Sequence, residues 1–295
     1  DWQSFNAVYG TTNNPWDVTR TPGGSSGGSA AALATGMTAL EIGSDIGASI
    51  RNPAHYCGVY GHKPTYGVVP YRGHLMPGSV SISDITVAGP LARSAKDLTA
   101  MMALLAGTEG LEARGLQVKL PKPRFTALKE LRVAVKLSSR ASDVDQSYQN
   151  RLIALGEFLK KKVKKLSYEA APAFSDQEAY ENYITLLRAT ATKRMSDAEI
   201  TAAVEKARGF DAADTSYVPL MTRAFALSHG GWLRANERRH QMALLWDAFF
   251  DDWDVLLCPA AASAAWPHDH VGERHERVIP VNGKMVSTID QRFWA

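Results

Sequence analysis

The chain has 295 residues, 45% hydrophobic and 21% charged, and its 33 basic against 30 acidic residues leave a formal net charge of +3. That length supports a large core, the composition is that of an ordinary soluble protein, and so even a charge balance argues against nucleic acid or an anionic membrane as partner. Its two cysteines, Cys57 and Cys258, make neither a disulfide framework nor a metal-ligand spacing, and no stretch is apolar enough to span a bilayer or act as a leader, so a cytoplasmic protein is expected, with the native N-terminus not shown by a chain that starts on Asp.

Thr11-Thr-Asn-Asn-Pro15 has the composition of an ordered surface turn, and irregular backbone is expected on to Pro22. The following Gly/Ser run has the composition of a linker. Ala30-Ala-Ala-Leu-Ala-Thr35 nevertheless follows at once, a strong helix former with Ser29 available near its N-terminus and Gly36 as its stop. Residues 37–43 read as a buried strand that delivers Ser44-Asp-Ile-Gly-Ala-Ser49 at its carboxyl end, where ligands bind in open α/β sheets. A short helix is expected over residues 50–57, opening on Arg51 with Pro53 in its first turn. Strand and turn pieces follow to residue 70, then a Gly/Pro loop to Ser83, a strand from Ile85, and a helix capped by Ser94 and running to about Ala106 with Leu98, Met101, Met102, Leu104 and Leu105 apolar.

Residues 131–135 read as a strand and 143–162 as an amphipathic helix with Tyr148, Leu152, Leu155 and Leu159 on its apolar face. Lysines 160, 161, 162, 164 and 165 read as a solvated helix end in preference to a polyanion patch. Helices are expected over 177–192 and 196–208, the second with Ser196 and Glu199 as a capping box. A long helix over 227–252 carries Leu233, Leu244, Leu245, Trp246, Phe249 and Phe250, and a buried strand over 254–258 stops at Pro259. Residues 260–295 read as irregular, and their His268, His270 and His275 as polar loop in preference to a metal site. Helices alternating with strands make the fold class α/β, a mixed β-sheet core flanked by helices, in a single domain over 1–295 with 140–250 as a candidate helical lobe.

Chemistry concentrates in Thr21-Pro-Gly-Gly-Ser-Ser-Gly-Gly-Ser29 and Ser44-Asp-Ile-Gly-Ala-Ser-Ile-Arg51. Ser25 and Ser49 stand among small residues, where backbone N–H groups can approach a substrate unobstructed, which points to acyl transfer. Gly23-Gly-Ser-Ser-Gly27 formally matches the G-x-S-x-G nucleophile elbow, but an elbow needs a strand directly before its serine and this serine follows Pro22 and a turn. A Ser-His-Asp hydrolase drawing its histidine from residues 229–275 is therefore the weaker rival.

The sequence resembles the amidase signature family in Pro22-Gly-Gly-Ser-Ser-Gly-Gly-Ser29, Gly43-Ser-Asp-Ile-Gly-Ala-Ser-Ile-Arg51, Cys57-Gly58 with Lys63-Pro-Thr65, and Gly89-Pro-Leu-Ala-Arg-Ser94, closely over residues 6–105 and diffusely beyond. The resemblance implies a Ser–cis-Ser–Lys triad with Ser49 as nucleophile and Ser25, after a cis peptide bond, as proton relay to a neutral lysine. It also implies an oxyanion hole from the N–H groups of Ile46, Gly47, Ala48 and Ser49, with Asp45 and Arg51 as supports and Ser26 as a helper beside Ser25. Ala48 replaces a glycine common in the family, and an ordinary φ is expected there, since φ > 0 would cost a methyl-bearing residue about 1–2 kcal/mol.

By the same resemblance the catalytic lysine falls before Asp1, Lys63 belongs to a structural motif, and the chain is apparently truncated at both ends. The implied function is an amidase that hydrolyses a carboxylic amide through an acyl-serine, with esters, anilides and carbamates as further substrates. It requires no cofactor or metal, takes a small-molecule amide, and has a homodimer as candidate assembly. Tyr71, His74 and Met76 read as ordinary loop, with a substrate entrance as the alternative. The two other readings are a catalytically silent fragment and a glutamine-dependent amidotransferase subunit.

Overall fold

Asn6 closes the turn between β1 (Phe5–Asn6) and β2 (Gly10–Thr11), its Oδ1 accepting from the N–H groups of Val8 at 2.9 Å and Tyr9 at 2.8 Å. The computed structural model describes residues 2–294, the side chains of residues 290 and 292 excepted. It divides the chain into two units, Asp1–Pro123 with Ala260–Ala295, and Arg124–Pro259.

In the first unit, α1 (Gly27–Ala34) starts three residues before the alanine run. Ser26 is its N-cap without a side-chain bond, and Ser29, expected near the cap, instead lies in the first turn and donates to Glu41 Oε2 at 3.0 Å. Strand β3 (Leu40–Asp45) begins later than expected and is buried only at Gly43 and Asp45, because it is an edge strand with Leu40 and Ile42 exposed. It pairs antiparallel with β5 (Val87–Ala92), Gly43 opposite Gly89 and Asp45 opposite Val87.

Helix α2 (Arg51–Cys57) holds Pro53 in its first turn, where the missing N–H costs nothing, and ends on Gly58 at φ 67°. Strands β4 (Tyr60–Gly61) and β5 (Val87–Ala92) complete a sheet in the order β3-β5-β4, with β5 buried throughout. Ala30, Leu33, Ile50, Ala54, Cys57 and Leu91 form the core that joins α1 and α2 to this sheet. Each of the larger ones contributes roughly 1.5–3 kcal/mol by leaving water. Helix α3 (Ala95–Leu105) is capped as predicted, Ser94 Oγ accepting from Asp97 N at 3.1 Å, but of its expected apolar residues only Met101 is buried.

The second unit contains β6 (Arg132–Val135), α4 (Gln146–Lys160), β7 (Lys165–Ser167), α5 (Asp176–Ala189), α6 (Asp197–Arg208), α7 (Tyr217–Phe225), α8 (His229–Asp252) and β8 (Val255–Leu257). Strand β6 lies between β7 and β8, parallel to both, and buries Val133, Ala134 and Val135 in succession, as a strand covered on two faces must. Asp145, Ser175 and Ser228 cap α4, α5 and α8, and the predicted Ser196–Glu199 capping box opens α6. All five lysines of the 160–165 stretch are exposed, and two of them cover rings, Lys162 over Phe158 at 4.9 Å and Lys165 over Trp253 at 4.2 Å. Phe249 of α8 is buried against Ala134 and Trp253, while Leu233 and Leu244 are exposed.

The chain returns to the first unit at Ala260. There the expectation of irregular structure fails: β9 (Val278–Val281) and β10 (Lys284–Ser287) form a hairpin around Asn282 at φ 53° and Gly283 at φ 74°, the two left-handed positions of a type I′ turn. Among the described residues no helix is long and apolar enough to cross a membrane.

Candidate active site

One backbone bond joins the two serine motifs, Ser26 N donating to Ser49 O at 3.1 Å. The Gly24–Ser25 peptide is cis. Gly23 before it has φ 86°, and a Cβ there would stand 2.7 Å from Asn52 Oδ1 and 2.8 Å from Pro53 Cα, so the run crosses α2 at a distance that only glycine permits. Gly24 N donates to Asn52 Oδ1 at 3.4 Å, and Gly23 N to Thr21 Oγ1 at 3.0 Å. Ser25 is exposed, Ser26 half-buried against Gly43 of β3, and Ser49 buried at 9% exposure.

Asp45, at the end of β3, is wholly buried and organises the loop that follows. Its Oδ1 accepts from Ala48 N at 2.9 Å and Arg51 Nη2 at 2.8 Å, and its Oδ2 from Ile50 N at 3.1 Å and Arg51 Nε at 3.0 Å. Burial works against the carboxylate's charge. The Arg51 guanidinium outweighs it through its charge and hydrogen bonds, helped by Ile50 N–H and the charge of Lys63, and holds the pKa below the usual carboxylate range. Lys63 keeps an exposed surface, yet desolvation and the Arg51 charge push its pKa down while Asp45 pulls it up.

Two expectations change here. Ala48 has φ 66°, not an ordinary value, since curling the loop round the Asp45 carboxylate draws this residue into the left-handed region. Its N–H is also spent on Asp45, which removes it from the expected oxyanion donors. Neither Gly47 N nor Ser49 N donates to a described residue.

Sequence reasoning missed an outer ring of supports. Trp2 Nε1 donates to Gly47 O at 2.9 Å and fixes the peptide plane inside the loop. Arg51 Nη1 reaches Trp294 O at 3.4 Å. Gln291 Oε1 accepts from Tyr56 OH at 3.0 Å and Ala262 N at 3.2 Å, and the half-buried His55 ring meets Ser263 O at 3.2 Å, its pKa lowered by desolvation. The Cys57 thiol, donating to Pro22 O, is pushed up to about 12 by burial and is inert. These contacts span 29 to 243 residues of sequence, and no local pattern signals them. Tyr71 lines a separate cavity of about 920 Å³ with Arg72, Leu75, Ile82 and Glu109, to which neither His74, Met76 nor either serine contributes.

The sequence model of the amidase family matches residues 2–288. The chain belongs to the amidase signature family. A glutamyl-tRNA(Gln) amidotransferase subunit of Gloeothece citriformis is 34% identical over 284 residues, covering 88% of this chain and 56% of that protein. Its counterpart in Thermus thermophilus is likewise 34% identical, over 280 residues, covering 88% and 58%. This chain thus spans less than two thirds of the length of the curated relatives it matches. A bacterial aryl acylamidase of the amidase signature family shares the fold with a TM-score of 0.72 at 20% identity, over 99% of this chain and 60% of that one. The mixed α/β architecture expected from the sequence is that of the family.

Proposed function

We propose that this chain carries the nucleophile of an amidase that hydrolyses a carboxylic amide through an acyl-Ser49 intermediate. Ser49 Oγ attacks the carbonyl carbon, the C–N bond breaks with the amine taking a proton relayed through Ser25, and water then releases the acid from the ester. The observation that carries this reading is the Ser26 N to Ser49 O bond, which sets the cis Gly24–Ser25 peptide against a loop with uncommitted N–H groups at Gly47 and Ser49. Those two N–H groups are the proposed oxyanion donors, and losing one such donor typically costs about 2.7–4 kcal/mol of transition-state stabilisation. Asp45 and Arg51 shape the loop and Ser26 anchors Ser25 to it. The base in this reading is the lysine that the family resemblance implies upstream of Ser25.

In the intact protein, with that lysine present, a fluorophosphonate should label Ser49, detected by mass spectrometry, and Ser49→Ala should abolish both labelling and hydrolysis of an acyl anilide. Labelling elsewhere with Ser49 untouched overturns the assignment. The identity to glutamyl-tRNA(Gln) amidotransferase subunits, 34% over 88% of the chain, favours a second reading in which glutamine is the amide donor and partner subunits are needed. Glutaminase activity that appears only with those partners would select it.

A further inference from the structure

The loop of residues 264–272 holds two histidines that amide chemistry leaves unused. It is pinned firmly. His268 N donates to Thr19 O at 3.1 Å, Arg20 Nη1 to Ala265 O at 2.6 Å and Asp269 N to Gln3 Oε1 at 3.0 Å, while Gln3 Nε2 returns a bond to Asp269 O. Phe5 stacks on the His270 ring with centroids 3.9 Å apart. The fixed backbone brings the two imidazoles together at a centroid distance of 5.5 Å with their planes at 58°. Both ring nitrogens of His268 and Nε2 of His270 are buried without a hydrogen-bond partner. Buried polar atoms of this kind are rare and call for an ion or a water.

Geometry favours the ion. A divalent metal sits about 2.0–2.1 Å from an imidazole nitrogen, hence roughly 3.2 Å from the ring centre, and two rings meeting it at a tetrahedral angle have centres about 5 Å apart. We propose that His268 and His270 form a two-imidazole site for a divalent transition metal of the class imidazole prefers, Zn²⁺, Ni²⁺ or Cu²⁺. Among the described residues no cluster of three or more His, Cys, Asp or Glu could hold a metal, so water completes the shell of the two imidazoles. Asp269 and Arg277, the charged side chains acting on His270, are opposite in sign. The bound ion ties the loop to the segments around Phe5 and Thr19, a structural role apart from the serines.

Chelator-treated chain titrated with ZnCl₂ in a calorimeter should bind one equivalent, and its melting temperature should rise because the ion selects the folded state. His268→Gln and His270→Gln should each weaken binding at least about tenfold, while His275→Gln leaves it unchanged. Cu²⁺-loaded wild-type chain should show electron-spin coupling to two imidazole nitrogens, a readout independent of how any variant folds. No stoichiometric binding, unchanged affinity in the His268→Gln/His270→Gln double variant, or coupling to fewer than two imidazoles overturns the proposal and leaves water as the partner.

Discussion

In each unit an arginine grips an aspartate, wholly buried at Asp45 and half-buried at Asp254, and the two pairs do different work. Asp45 and Arg51 are six residues apart, and the carboxylate that takes the guanidinium also takes the N–H groups of Ala48 and Ile50. Asp254 and Arg132 are 122 residues apart. Asp254 accepts from Arg132 N at 2.8 Å, Nε at 3.0 Å and Nη2 at 2.7 Å, and Asp254 N donates back to Arg132 O at 2.9 Å, so the pair locks the starts of β6 and β8 side by side. A carboxylate paired nearby in sequence moulds a loop, whereas one paired across the sheet fastens architecture.

The largest expected effect separates the two units. In the intact protein Ser49→Ala should reduce amide hydrolysis to background without moving the melting temperature; retained hydrolysis would put the chemistry outside the moulded loop. Next, Arg51→Met leaves the fully buried Asp45 charge without its counter-ion and should destabilise the chain by about 3–5 kcal/mol in urea unfolding, with loss of Ser49 labelling. Asp254→Asn should lower stability less and leave labelling of the folded fraction intact. If it instead suppresses labelling as Arg51→Met does, the division of labour is wrong.

A titration sharpens the same contrast. Arg132 holds Asp254 at about 2, chiefly through its side-chain hydrogen bonds. A carboxylate depressed in the folded state contributes stability that is complete above its unfolded value near 3.9 and is lost as pH falls towards 2. Asp254→Asn should therefore flatten the acid-unfolding curve between about pH 4 and 2. The smallest effect belongs to Ala48. Replacing it by glycine removes about 1–2 kcal/mol of left-handed strain and adds back about 0.5–1 in unfolded-chain entropy, for a net gain of about 0.5–1 kcal/mol by thermal melting.

The parts legible in the sequence are those whose causes are local. Caps at Ser94 and Ser196 and the apolar strand of residues 132–135 each follow from a few neighbouring residues. The Asn282-Gly283 hairpin is equally local, but its signal is masked by the histidines beside it. β7 hides in a lysine run, and α7 in a stretch with Pro219 in its first turn. The left-handed φ of Ala48 is illegible because its cause, the Asp45 carboxylate turned back on the loop, is a three-dimensional fact. Both serine motifs are readable as patterns, but not Trp2 holding Gly47 or Gln291 holding Tyr56.

That last pair of contacts has a kinetic consequence. The nucleophile loop is steadied from residue 2 at one side and from residues 291 and 294 at the other, through contacts as distant in sequence as 243 residues. Contacts that close such long loops form late, since the chain entropy must be lost before they repay it. On the ribosome Trp2 and the two serines emerge well before Gln291 and Trp294, so the loop is held from one side only until the hairpin of β9 and β10 and the residues after it have left the exit tunnel. Throughout that interval the nascent chain carries the Ser49 loop with one of its two clamps missing.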